Sequence, residues 1–173
     1  MGARSQRYIG TYGTERVAKA VFAASVPPFL YKSDDNPDGV LEHAAIAGFL
    51  SGIKDDRIAF LDGFTVGFFS AGGELKVSEV QRVYARDIVA FASPKATLDC
   101  VNASGATDFR PDLAKFSIPT LVIRGDSDAI VPFEASGERA HGSELVVIEG
   151  GPHAINASPV QQFNDALLGF LAR

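Results

Sequence analysis

The sequence predicts an α/β fold: three parallel strands with flanking helices, and a helical cap inserted between the first and second strands. Three observations carry this. Val17–Ala24, Leu121–Ile123 and Leu145–Ile148 are short apolar runs bounded by Pro or Gly, as buried strands are. The long span between the first two runs shows helical period only. Past Leu121 the alternation of strand, loop and helix resumes. With 173 residues, 46% of them apolar, the chain can bury one sizeable core, so a single domain is expected. Within it, residues 1–28 start the α/β core, 29–115 form the cap, and 116–173 complete the core.

Ala3 to Ile9 reads as a helix stopped by Gly10 and Gly13. The Val17–Ala24 strand follows, and Pro27 and Pro28 force an extended exit from it. Ser33-Asp34-Asp35-Asn36-Pro37-Asp38-Gly39 is turn chemistry. Beyond it Val40, Leu41, Ala44, Ala45, Phe49 and Leu50 share one helical face, and Ile58, Leu61, Phe64 and Phe68 continue the pattern. Ser78-Glu79-Val80-Gln81 is a capping box opening a helix with Val80, Val83, Tyr84, Ile88 and Phe91 on its apolar side. Ser93-Pro94 opens another, through Cys100. No strand is expected anywhere in this span. After the Leu121 strand a short helix is predicted from Phe133 to His141, then the Leu145 strand. A last helix is capped at Ser158-Pro159 and striped by Val160, Phe163, Leu167 and Leu171.

The net charge of −5 comes from dispersed acids, which argues against nucleic acid as a partner. No apolar run approaches the roughly 18 residues of a membrane span, and no signal-peptide apolar region follows Met1. One cysteine, Cys100, excludes an internal disulfide and fits a reducing compartment, so a cytoplasmic location is expected. Its apolar helical context reads as packing, not as a nucleophile. No cluster of His, Cys and carboxylate residues has metal-ligand spacing, so no metal is expected.

Two residues stand out. Asp128 follows the Leu121 strand in Gly125-Asp126-Ser127-Asp128, and His153 follows the Leu145 strand in Gly150-Gly151-Pro152-His153. An aspartate in a turn, or a lone histidine, is ordinary by itself. Here each leaves the C-terminal end of a buried strand, where open α/β sheets place their chemistry. Adjacent strands lie about 5 Å apart, so the two side chains are expected within hydrogen-bonding reach. An Asp that fixes the tautomer of a His is two-thirds of a nucleophilic triad. His43 and His141 lie in polar surroundings and are expected to be solvated. Phe29, Val131 and Phe133 are the candidate pocket residues. Phe49, Phe60, Phe64, Phe68 and Phe69 are mostly the cap's own core, with one or two facing the sheet's C-terminal edge as an apolar acyl pocket.

Arg7-Tyr8-Ile9-Gly10-Thr11-Tyr12-Gly13, Val26-Pro27-Pro28, Asp34-Asp35-Asn36-Pro37, Gly125 to Phe133 and Gly151-Pro152-His153 together resemble the non-haem chloroperoxidase group of α/β-hydrolases. The resemblance runs over essentially the whole chain. It implies the C-terminal part of an α/β-hydrolase fold and a cofactor-free serine esterase that also perhydrolyses carboxylic acids with hydrogen peroxide. It further implies that Asp128 is the triad acid and His153 the triad base. Met1-Gly2 resembles the two residues after the serine of the Gly-x-Ser-x-Gly elbow. The nucleophile is then expected just before residue 1, with the N–H of Met1 at the oxyanion position. Ser5 and Ser127 are not expected to replace it, since neither sits on a strand-to-helix elbow. Compared with the family, the helix before the last strand looks shortened at Ala140-His141-Gly142-Ser143. Small acyl esters, or a carboxylic acid plus peroxide, are the implied partners. The alternative is a catalytically silent fragment or non-enzymatic half-domain. Self-association is expected along the open edge of the Val17–Ala24 strand.

Overall fold

The computed structural model describes residues 2–26, 28–37, 39–131 and 142–173. Helix α1 (Gly2–Tyr12) precedes strand β1 (Ala20–Ala23). Between β1 and the next strand of the same sheet lie α2 (His43–Asp55), α3 (Arg57–Phe69), the short strands β2 (Ser70–Ala71) and β3 (Glu74–Leu75), α4 (Glu79–Ala90), α5 (Pro94–Ala106) and α6 (Arg110–Leu113). Strands β4 (Thr120–Gly125) and β5 (Glu144–Ile148) and helix α7 (Val160–Leu171) follow. The main sheet has the order β1-β4-β5, all parallel, with Val21 opposite Leu121 and Ile123 opposite Val146. The three parallel strands with flanking helices, and the insertion between the first two, are as expected.

The core forms where the central strand meets α7. Leu121 and Ile123 of β4 are wholly buried and cluster with Ile148, Ile155 and Phe170; Phe163, Ala166 and Leu167 pack against them. The α7 face that does this is therefore 163, 166, 167 and 170. Val160 and Leu171, expected on the stripe, are half exposed. Both positions sit at the helix ends, beyond the reach of the short sheet. The N-cap residue of α7 is Pro159, and Ser158 contributes no side-chain cap.

Strand β1 is shorter than Val17–Ala24. The backbone N–H of Val17 closes a turn to Thr14 O, and Lys19 Nζ donates to Phe170 O and Leu171 O, both at 2.9 Å. Lys19 thus satisfies carbonyls left over at the C-terminal end of α7, where a cation is favoured by the helix dipole, instead of guarding the sheet edge. Helix α1 continues through Gly10 to Tyr12 and is followed by Gly13 at φ +75°. Gly10 is tolerated inside the helix because a Cβ there would lie 1.9 Å from the Asp112 carboxylate.

The insertion departs further from the periodicity. Val40 and Leu41 precede α2, and Leu41 instead pairs with Leu30 through Leu41 N to Leu30 O. The buried residues of α2 are Ile46 and Ile53, while Ala44, Ala45 and Phe49 are exposed. The span is not free of strand: β2 and β3 form a hairpin turned by Gly72 and Gly73 at φ +60° and +80°. Ser78 does cap α4, its Oγ accepting from Gln81 N at 3.2 Å. The apolar side of that helix, however, faces outward, and the residue it buries is Arg82. Ser93 caps α5 as predicted, through Ala96 N. Cys100 is exposed, not packed, at the rim of an apolar hollow lined by Leu61, Val89, Ala96 and Val101. Met1 and the expected helix from Phe133 to His141 fall outside the described residues.

Candidate active site

The C-terminal ends of β4 and β5 are stitched together by backbone. Asp126 N donates to Ile148 O and Ser127 N to Gly151 O, both at 3.2 Å. The strands' exit loops approach so closely that a Cβ on Gly125 would stand 2.0 Å from Gly151 O. Two facing glycines are what such an approach requires. Asp126 adds a side-chain tie: its Oδ1 accepts from Gly150 N at 2.8 Å.

This stitching leaves Asp128 buried at the floor of the turn. Its Oδ1 accepts from Ile130 N at 2.9 Å and Val131 N at 2.8 Å, and its Oδ2 lies 2.8 Å from His153 Nδ1. Burial alone pushes this carboxyl up. The hydrogen bonds from His153, Val131 N and Ile130 N, with the attraction of the imidazole, outweigh that and hold it below the ordinary aspartate value. An ionised carboxylate facing Nδ1 fixes the proton there, so Nε2 carries the lone pair of the neutral ring. That nitrogen is the one able to accept a proton.

His153 is held from a second side by the insertion. The Phe68 ring meets the imidazole edge-on, with centroids 4.8 Å apart, and Phe68 O accepts from Ala154 N at 3.1 Å. The end of α3 is therefore docked on the histidine loop. Of the remaining expected positions, Val131 is buried and acts through its backbone N–H on Asp128. Phe29 packs edge-on to Tyr31 and beneath the Arg110 guanidinium at 4.9 Å; the described ring contacts do not join it to His153. Phe133 and Met1 lie outside the described residues. Ser127 Oγ bonds Asp126 Oδ1 at 3.0 Å, facing its neighbour. His43 is exposed and stacks on Tyr31.

Three further residues serve the site, of which Phe68 was already among the five cap phenylalanines weighed for the pocket. Asp126 was visible as the first acid of an Asp-x-Asp pair. Phe68 was one of several equivalent-looking phenylalanines. Arg124 gave no signal, because a charged residue at a strand end reads as solvated. It is instead buried, with Nη2 donating to Val131 O at 2.8 Å and Nη1 near Ser25 O at 3.4 Å. Among the described residues no three His, Cys, Asp or Glu side chains gather into a metal-sized group. Nor is any described helix long and apolar enough to cross a membrane.

No protein-family profile matches the chain. Individual relatives do. A putative non-haem chloroperoxidase of Synechocystis sp. is 44% identical over 173 residues, matching 95% of this chain and 61% of its own length. The non-haem chloroperoxidase CPO-A1 of Kitasatospora aureofaciens is 38% identical, matching 98% of the chain and 64% of its own length. A bifunctional esterase/perhydrolase of Acinetobacter calcoaceticus is 29% identical, with 98% and 63% matched. The crystal structure of a bromoperoxidase from Bacillus anthracis superposes with a TM-score of 0.95 at 56% identity, over 99% of this chain and 64% of that one. The chain spans less than two-thirds of the length of each of these. Its homologues are thus non-haem chloroperoxidases and esterases of the α/β-hydrolase superfamily, and the stretch they share with this chain is their C-terminal part.

Proposed function

We propose that Asp128 and His153 are the acid and base of a Ser-His-Asp triad acting on carboxylic esters. The serine would come from the part of the relatives' length that lies outside the matched stretch. The 2.8 Å contact between His153 Nδ1 and Asp128 Oδ2 carries this reading. In the proposed cycle, His153 Nε2 takes the serine proton as Oγ attacks the ester carbonyl, and Asp128 stabilises the resulting imidazolium. The same proton then passes to the departing alkoxide. Water, deprotonated by His153, cleaves the acyl-enzyme to the acid; hydrogen peroxide in its place gives the peracid. The N–H of residue 1 is proposed as one oxyanion donor. The insertion is proposed as the cap, with Phe68 as the wall nearest the base; its edge-on contact to His153 supports that placement.

The test uses the full open reading frame that carries this sequence, assayed with a short-chain p-nitrophenyl ester with and without peroxide. Ester turnover is expected, diverted to peracid by peroxide, and His153→Ala should lower kcat about 10⁵-fold or more. Absence of turnover, or a His153→Ala variant as active as the parent, would leave the non-enzymatic reading in its place.

The outer edge of β1 is proposed as a second contact surface. Among the described residues β1 pairs with β4 alone, leaving Ala20–Ala23 unpaired on the other side. Sedimentation of this 173-residue chain should show association; a stable monomer with a sharp thermal transition would contradict it.

A further inference from the structure

The turn that carries Asp128 is satisfied internally, by Ile130 N and Val131 N bonding to Oδ1, but that does not fix where the turn sits over the sheet. Two side chains do so, one on each flank. Toward β5, Asp126 ties the turn to Gly150. Toward β1, the Arg124 guanidinium reaches from the end of β4 to Val131 O and toward Ser25 O, just past β1. Arg124 is 2% exposed, and its described hydrogen bonds go to these main-chain carbonyls, not to a carboxylate. Burying a guanidinium on such terms is costly, and an apolar residue of similar length would fill the space without that cost. What an apolar residue would lack is a planar group able to hold two carbonyls from separate loops at once.

We propose that Arg124 is a positioning residue for Asp128. It clamps the acid's turn against the exit of β1 so that Oδ2 meets His153 Nδ1 in line. The inference rests on the reading of Asp128 and His153 as an acid–base pair. Arg124 touches neither the reacting atoms nor His153; it acts through the backbone of Val131, whose N–H holds Asp128 and whose carbonyl Arg124 holds.

The readout is the His153 Nδ1 proton, followed by ¹H NMR on the protein expressed from the full open reading frame, with Arg124→Met, Arg124→Lys and Asp128→Asn compared. In the parent the proton should be protected from water by its short bond to Asp128. Arg124→Met should keep a dispersed, folded spectrum, yet exchange this proton about tenfold faster or lose the signal, as expected for loss of a charge-assisted hydrogen bond. Arg124→Lys, whose ammonium reaches one carbonyl but cannot bridge two, should fall between. A folded Arg124→Met with the parent's resonance and exchange rate would overturn the proposal. If the Met variant does not fold, Arg124→Lys decides: exchange several-fold faster than the parent supports the clamp, and parent-like exchange refutes it. Persistence of the protected proton in Asp128→Asn would instead refute the acid–base pair.

Discussion

In the sheet, Leu121, Ile123 and Ile148 are buried and α7 covers them with Phe163, Leu167 and Phe170. Helix α4 of the insertion is arranged the other way round. Arg82 is buried there, donating to Asp62 Oδ1, Thr65 Oγ1 and both Glu79 oxygens, while Val80, Tyr84, Ile88 and Phe91 face outward. Arg86 adds a second bond to Asp62, and the two arginines hold the Asp62 carboxyl below its ordinary value. The α3–α4 contact is thus set by polar geometry and the β4–α7 contact by apolar volume. The difference teaches that an apolar stripe marks the buried face of a helix only where an apolar partner packs against it. Charge networks of this kind fix register more than they stabilise, so the two regions should answer differently to substitution.

The largest expected effect is in the sheet. Leu121→Ala leaves a cavity beneath α7 and should cost about 3–5 kcal/mol, read as a shift in the urea midpoint. A loss under 1 kcal/mol would mean that the sheet is not the main source of stability. Gly125→Ala forces the acid and histidine loops apart and should cost about 2–3 kcal/mol; a variant of parental stability would show that the close approach to Gly151 is not real. Next comes a pH effect. The Asp128 carboxyl lies below its ordinary value when folded, so the pair contributes stability above pH about 4, and loses it as pH falls through the depressed folded value. The difference in Tm between the parent and Asp128→Asn should therefore shrink on acidification below pH about 4; a constant gap would show that the carboxylate is not the stabilised form. The smallest effect is at α4: Phe91→Ser should change stability by no more than about 0.5 kcal/mol. A large loss there would mean that the outward stripe is covered after all.

The parts of the molecule legible in the sequence are those fixed by local chemistry or by position at a strand end. The β4 and β5 runs could be read because both are continuous apolar segments, although only β4 is largely buried and Val147 of β5 is exposed; β4 ends at Gly125 and β5 runs on to Gly150-Gly151, where the loops must meet. The Ser78 and Ser93 caps were readable because a cap is a local event. The inner faces of α2, α4 and α7 were not, because each depends on which helix or strand lies alongside. The start of β1 was misjudged for the same reason: Val17 to Lys19 look like strand, but Lys19 is drawn off to the end of α7. In the site, Asp128 and His153 could be inferred from their places at strand ends. Arg124 and Phe68 could not, because nothing in their local sequence says which loop they touch.

The account rests on Asp128 holding His153 for proton transfer, and the kinetics of Asp128→Asn in the full open reading frame test it most directly. An amide in that place keeps the shape of the turn but no longer stabilises the imidazolium or enforces the Nδ1 proton. The account predicts a fall in kcat on a p-nitrophenyl ester of about 10⁴-fold with KM nearly unchanged. A variant retaining more than a tenth of the parental kcat would contradict it.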